Sequence, residues 1–153
     1  MLNMKIFNSP QLIETNSSKS IFLAGTIEMG NSENWQKRVI THFESSSFNI
    51  YNPRREEWDH SWVEKIDNRE FRQQVDWELT ALEKADLVLF NFLPGSKSPV
   101  SLLELGLCAK SGKAVVCCPT DYWKRGNVQI VCAKYKIPLY YNLADLLKSI
   151  YLN

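Results

Sequence analysis

Two glutamates occupy positions where helical periodicity calls for apolar side chains. Glu104 sits in the middle of "SPVSLLELGLCAK", residues 98–110, an apolar run opened by a Ser-Pro helix start. Glu78 sits in "VDWELTALEKA", residues 75–85. Turning about 100° per residue from Phe71 puts Val75 at about 40°, Leu82 at about 20° and Glu78 at about −20°, while Asp76 falls away at about 140°. Counting from Val100 in the same way puts Leu103 at about −60°, Leu107 at about −20°, Cys108 at about 80° and Glu104 at about 40°. Both glutamates are therefore expected within the apolar stripe of their helices, and Asp76 on a solvated face. An ionised carboxylate buried without a partner costs several kcal/mol or takes up a proton. Two such acids in unlike surroundings suit bond cleavage at an acetal-type carbon, where one stays ionised as nucleophile and the other moves a proton. The structural alternative is a buried ion pair with Arg54, Arg55 or Arg72, or hydrogen bonds to backbone amides.

The elements that must position these acids alternate along the chain. "SIFLAGT" (20–26) reads as a buried strand ending at a glycine. "ENWQKRVITHFES" carries Trp35, Val39 and Phe43 at intervals of four, one face of a helix. "FNIYNP" is a strand stopped by Pro53, and "NREFRQQVDWELTALEKA" a helix. "DLVLFNF" is a continuous apolar strand of the kind found inside parallel sheets. After the Glu104 helix come strand "AVVCCP", helix "NVQIVCAKYK", short strand "PLYY" and a terminal helix "NLADLLKSIYL" with an Asn cap. A further short strand near Lys5 to Phe7 is weakly indicated. This alternation predicts an α/β fold, a single flavodoxin-like (Rossmann-like) domain over 1–153 with its core at about 20–150: a five-stranded parallel sheet with helices on both faces. Ligands of such sheets collect outside the carboxyl ends of the strands, here just after Ala24, Pro53, Phe92 and Pro119.

Composition narrows the partners. The 153 residues are 44% hydrophobic and 23% charged, enough for one well-cored domain. Eighteen Lys and Arg against 17 Asp and Glu leave a net charge of +1, with no basic block for polymeric nucleic acid or a membrane surface. The four cysteines, Cys108, Cys117, Cys118 and Cys132, have no metal-ligand spacing and read as reduced core thiols. No apolar stretch reaches membrane-spanning length and no signal peptide is evident, so a soluble cytoplasmic protein is expected. His42 and His60 have no ligand partners at helical or hairpin spacing, so no metal is implied. "SGKAVV" lacks a phosphate loop's helix start, and "AGTIEMG" lacks dinucleotide-binding glycine spacing, so no cofactor is expected.

The combination of "FLAGTI", "VDWELTALEKADLVLF" and "SPVSLLELGLCAKSGKAVV" resembles the nucleoside 2-deoxyribosyltransferases and the related nucleotide N-glycosidases, over about Ile21 to Pro138. "NPRR" (52–55), "SLLELGL" (101–107) and the Trp123, Gly126–Val128 segment are similar to one branch of that family. The resemblance implies cleavage or transfer at an N-glycosidic bond, with Glu104 as nucleophile forming a glycosyl-enzyme ester and Glu78 as the acid that contacts and protonates the departing base. It implies a ligand approaching the backbone at Gly25 and Thr26, and an Asn127 that reaches into a neighbouring subunit's site, hence a homodimer or larger homo-oligomer.

The chain also departs from that pattern. Six residues before the nucleophile the transferases carry an Asp; here it is Ser98, as in the nucleotide hydrolases, where a serine contacts the 5′-phosphate. Ser98 is equally an ordinary N-cap before Pro99. Position 78 is commonly Asp in the family. The "NPRREEWDHSW" loop has no strong counterpart in the best-known members; Trp58 or Trp62 could stack on a base, and Arg54 or Arg55 could hold phosphate or neutralise an acid. The tryptophans could equally staple the loop or fill an interface. Two rival readings stay open: a hydrolase of nucleoside 5′-monophosphates or NAD, and a non-catalytic nucleotide-binding module that keeps Glu104 as a structural acid.

Overall fold

The apolar runs between amphipathic stretches become strands covered on both faces. The computed structural model describes residues 3–27, 33–55 and 57–150. Its strands are β1 (Lys5–Asn8), β2 (Ser20–Gly25), β3 (Asn49–Asn52), β4 (Leu87–Asn91), β5 (Ala114–Cys117) and β6 (Leu139–Tyr140). Its helices are α1 (Trp35–His42), α2 (Arg69–Lys84), α3 (Pro99–Cys108), α4 (Arg125–Tyr135) and α5 (Leu143–Ser149). Every pairing is parallel, in the order β1-β3-β2-β4-β5-β6. The sheet has six strands among the described residues, one more than the five expected. The added one is β1, an edge strand of sequence "KIFN" in which Phe7 alone is buried, so it lacks the continuous apolar signature of the inner strands. Without β1 the order is flavodoxin-like.

Alternation at period two divides the core into two layers. Ile21 and Leu23 of β2 face α1 and α5, where Trp35, Val39, Phe43 and Leu146 pack. Phe22 and Ala24 face the other layer, with Trp77 and Ala81 of α2, Leu105 of α3 and Val128 of α4. The expected Trp35–Val39–Phe43 stripe is almost completely buried. No helix among the described residues is long and apolar enough to cross a membrane.

Helix starts decide where the acids lie. Asn68 accepts from the Phe71 amide and so opens α2, and Asn142 does the same for α5 through the Asp145 amide. The far end of α2 is held by Lys113, whose ammonium donates to the carbonyls of Leu82, Glu83 and Ala85 at 2.6, 3.0 and 3.1 Å. The chain leaves β3 on one side of β2, passes through α2 and returns as β4 on the other side. That reversal opens a crevice at the carboxyl ends of β2 and β3, bounded by α2 and the first turns of α3.

Candidate active site

The crevice holds a cavity of about 310 Å³, within the range of small-molecule sites. Glu78 from α2 and Glu104 from α3 both line it. They arrive on faces the periodicity only half described. On α2 the sheet-facing residues are Gln74, Trp77, Ala81 and Leu82, while Phe71, Val75 and Glu78 turn towards the cavity. On α3 the buried residues are Ser101, Glu104, Leu105 and Cys108, whereas Val100, Leu103 and Leu107 are 54%, 65% and 59% exposed. Glu104 does face inward, but on the opposite side from the leucines used to predict it.

Glu104 is 93% buried, and its Oε2 is fully buried with no hydrogen-bond partner. It forms no ion pair with any described residue: Arg55 lies by Glu57 at 3.4 Å and Arg72 by Asp76 at 3.5 Å, and Arg54 donates to the Glu33 carbonyl and to Gln36 Oε1. Burial first, and then the nearby charge of Glu78, push the Glu104 carboxyl well above the usual carboxylate range. Burial raises Glu78 too, to about 7, against an opposing hydrogen bond from Gln74. The two titrate as one system, with protons that belong to the pair. Glu78 has a donor and Glu104 has none, which makes their environments unlike.

Gln74 is a site residue the sequence reading passed over. Its Nε2 donates both protons, to the Pro53 carbonyl at 2.9 Å and to Glu78 Oε1 at 3.1 Å, while its Oε1 accepts from the Ser9 hydroxyl. The amide is thereby locked with its donor side towards Glu78. The available signal was the i, i+4 spacing of Gln74 and Glu78.

Ser98 does not cap α3. It sits at φ 48° and ψ 52°, makes no side-chain cap hydrogen bond, and its hydroxyl instead meets Thr26 Oγ1 at 2.6 Å and Ser96 Oγ at 3.0 Å. Thr26 Oγ1 and Ser96 Oγ are also 3.0 Å apart. Ser96 donates to the Leu93 carbonyl at 2.7 Å, and Thr26 accepts from the Leu93 amide at 3.0 Å. Three mutual contacts share the two remaining protons, so with Thr26 donating to Ser98 the Ser98 proton goes to Ser96, and the hydroxyls satisfy one another at the cavity wall that Ser98 lines. Thr26 itself is completely buried behind that wall.

Gly25 lines the cavity at φ 134°, and a Cβ there would stand 2.4 Å from the carbonyl oxygen of Asn91. The glycine is required first by the backbone of β4, with access for a ligand a by-product. From the 52–67 loop, Arg55 and Trp58 reach the cavity, with Trp58 edge-on to Trp62 at 5.0 Å, whereas Arg54 points at α1. Asn127, in α4, is exposed and does not line the cavity. The four cysteines are buried free thiols with pKa values raised by burial, so their nucleophilic form is disfavoured. Among the described residues no three metal-ligating side chains gather.

A crevice at the switch point of a flavodoxin-like sheet, walled by two desolvated glutamates from consecutive helices, defines a small-molecule site of acid-base character. A family model described as nucleoside 2-deoxyribosyltransferase like matches residues 18–122, from β2 to just before α4, and the chain belongs to that family. No curated protein sequence matches it.

Proposed function

We propose that this protein breaks or exchanges the N-glycosidic bond of a nucleoside or nucleotide through Glu104. The observation that carries the reading is a fully buried carboxylate oxygen with no partner, on the wall of a cavity that also holds a second raised acid. A structural glutamate at this depth would have both oxygens hydrogen-bonded, since a buried polar atom left without a partner costs stability. The non-catalytic module is disfavoured on that ground.

In the reaction, a Glu104 carboxylate oxygen attacks the anomeric carbon and forms a glycosyl ester as the carbon–nitrogen bond breaks. The bonding electrons leave with the base, whose ring nitrogen takes a proton from Glu78. An acceptor N or O, from a second base or from water, then attacks the anomeric carbon, the bond from that carbon to the Glu104 oxygen breaks to release the carboxylate, and the acceptor's proton returns to Glu78. One proton shared between two like charges is the stoichiometry this sequence needs. In the protein alone that proton belongs to the pair, and a sugar hydroxyl donating to Glu104 would favour the state with the proton on Glu78.

The reading includes a homo-oligomer whose sites are completed across the interface. It is supported by Asn127 lying exposed away from its own cavity and by the outward leucines of α3, and light scattering of the purified protein checks it. The main test is chromatography of nucleosides and their monophosphates, with and without a second free base, over the parent and Glu104→Gln. Release or exchange of base by the parent alone, with a sugar-sized mass increment on the 98–110 peptide after acid quench, is expected. Equal turnover by Glu104→Gln refutes the role.

A further inference from the structure

Resting on the same cavity, we propose that Arg55 makes its loop side a phosphate-binding subsite, so that the glycoside taken there is a nucleoside monophosphate in preference to a neutral nucleoside. The Arg55 side chain is 8% exposed and lines the cavity, yet its Nη1 is fully buried without an acceptor. A guanidinium cannot discard its charge by losing a proton, so burial leaves it in want of an anion. Its present counter-ion is poor. Glu57 is 66% exposed and lies 3.4 Å from Nε without forming a hydrogen bond, so solvent screens most of the attraction.

The two catalytic acids do not answer that want. The charge of Arg55 is not among the causes that move either Glu78 or Glu104, and both are displaced upward, opposite to what a facing guanidinium would do. Glu64, exposed at the rim of the same cavity, forms no ion pair with Arg55 either. Meanwhile the guanidinium is held in place, its Cζ over the Trp62 ring at 5.0 Å from the centroid and Trp62 braced by Trp58. The cation is therefore held in position before any ligand arrives, which lowers the cost of using it.

A second donor set faces the same space. Val100 and Ser101, in the first turn of α3, line the cavity, and no side chain caps that helix start. Orphan amides at a helix start and a forked guanidinium favour one ligand group, a tetrahedral dianion with oxygens for both.

Isothermal titration of Glu104→Gln, used so that nothing is turned over, tests the subsite with 2′-deoxynucleosides, their 5′-monophosphates and inorganic phosphate. The monophosphates are expected to bind at least about tenfold tighter than the nucleosides. Adding Arg55→Gln should bring that advantage down to about threefold or less with nucleoside affinity kept, and Arg55→Lys should restore part of it. An advantage that survives Arg55→Gln, or none to begin with, overturns the proposal. So does loss of nucleoside and monophosphate binding together, which would make Arg55 only a brace of the loop, or binding of inorganic phosphate without preference for the monophosphate. A parent that cleaves no glycoside while the Arg55-dependent preference holds would sink the proposed reaction and leave the subsite standing.

Discussion

Two buried polar groups lie within one wall of the cavity and are treated in opposite ways. The hydroxyls of Thr26, Ser96 and Ser98 satisfy one another and the backbone of Leu93, so that cluster fastens the turn after β4 to the end of β2. The carboxyls of Glu78 and Glu104 share a single side-chain donor, and one oxygen has nothing. Buried polar groups with their bonds complete add stability, whereas incomplete ones subtract it. The contrast fits the proposed reaction, in which the first group is scaffold and the second takes its partners from a bound ligand.

Substitution should separate the two by sign. The largest effect is expected from Glu104→Gln, which should lower turnover by about a thousandfold or more while raising the melting temperature near neutral pH. A lowered melting temperature would erase the contrast. Next comes Glu78→Gln, expected to slow release of poor leaving bases by about a hundredfold and good ones much less, read from rates across a series of bases. In the scaffold, Thr26→Val leaves the Leu93 amide and Ser98 without their partner, and denaturant unfolding should show a loss of about 1–3 kcal/mol.

The pH dependence follows from the same acids. Below 4.5, the ordinary carboxylate value, Glu78 is protonated folded or unfolded, and the stability that its raised pKa brings is fully present. Between there and about 7 the unfolded chain releases the proton and the folded chain keeps it, so stability falls as pH rises through that window. Glu78→Gln should flatten this slope, which melting curves in a buffer series would show. The smallest effect is expected from Gln74→Leu: removing the donor to Glu78 should move the alkaline limb of the kcat/KM profile upward, and an unmoved limb would deny Gln74 its positioning role.

Much of the scaffold was legible because it follows from pattern. Trp35, Val39 and Phe43 recur at helical spacing and have one place to go, and β2, β4 and β5 are mostly apolar because both faces are covered. Edge strand β1 was not legible as a full strand, since half-covered "KIFN" carries too little apolar signal. Helix α3 shows the limit more sharply. Apolar on nearly every side, it has no face that periodicity can single out, and Leu103 and Leu107 turned outward while Ser101, Glu104 and Leu105 turned in. Glu104 stood out as a charged residue in an apolar run, and that oddity was a better guide than its angle. For Gln74 only the i, i+4 spacing to Glu78 was readable, because the partners that fix its amide, Ser9 and Pro53, lie 65 and 21 residues away in sequence. The cap reading of Ser98 failed because Thr26, distant in sequence, competed for its hydroxyl.

Because Asn68 grips one end of α2 and Lys113 the other, the helix that carries Glu78 has little room to slide or fray. The gap across to α3 is then a fixed gauge. On the proposed function, a molecule too wide for it would be turned away instead of being accommodated, and widening the range of accepted guests would start at residue 113, at the opposite end of α2 from its Asn68 cap.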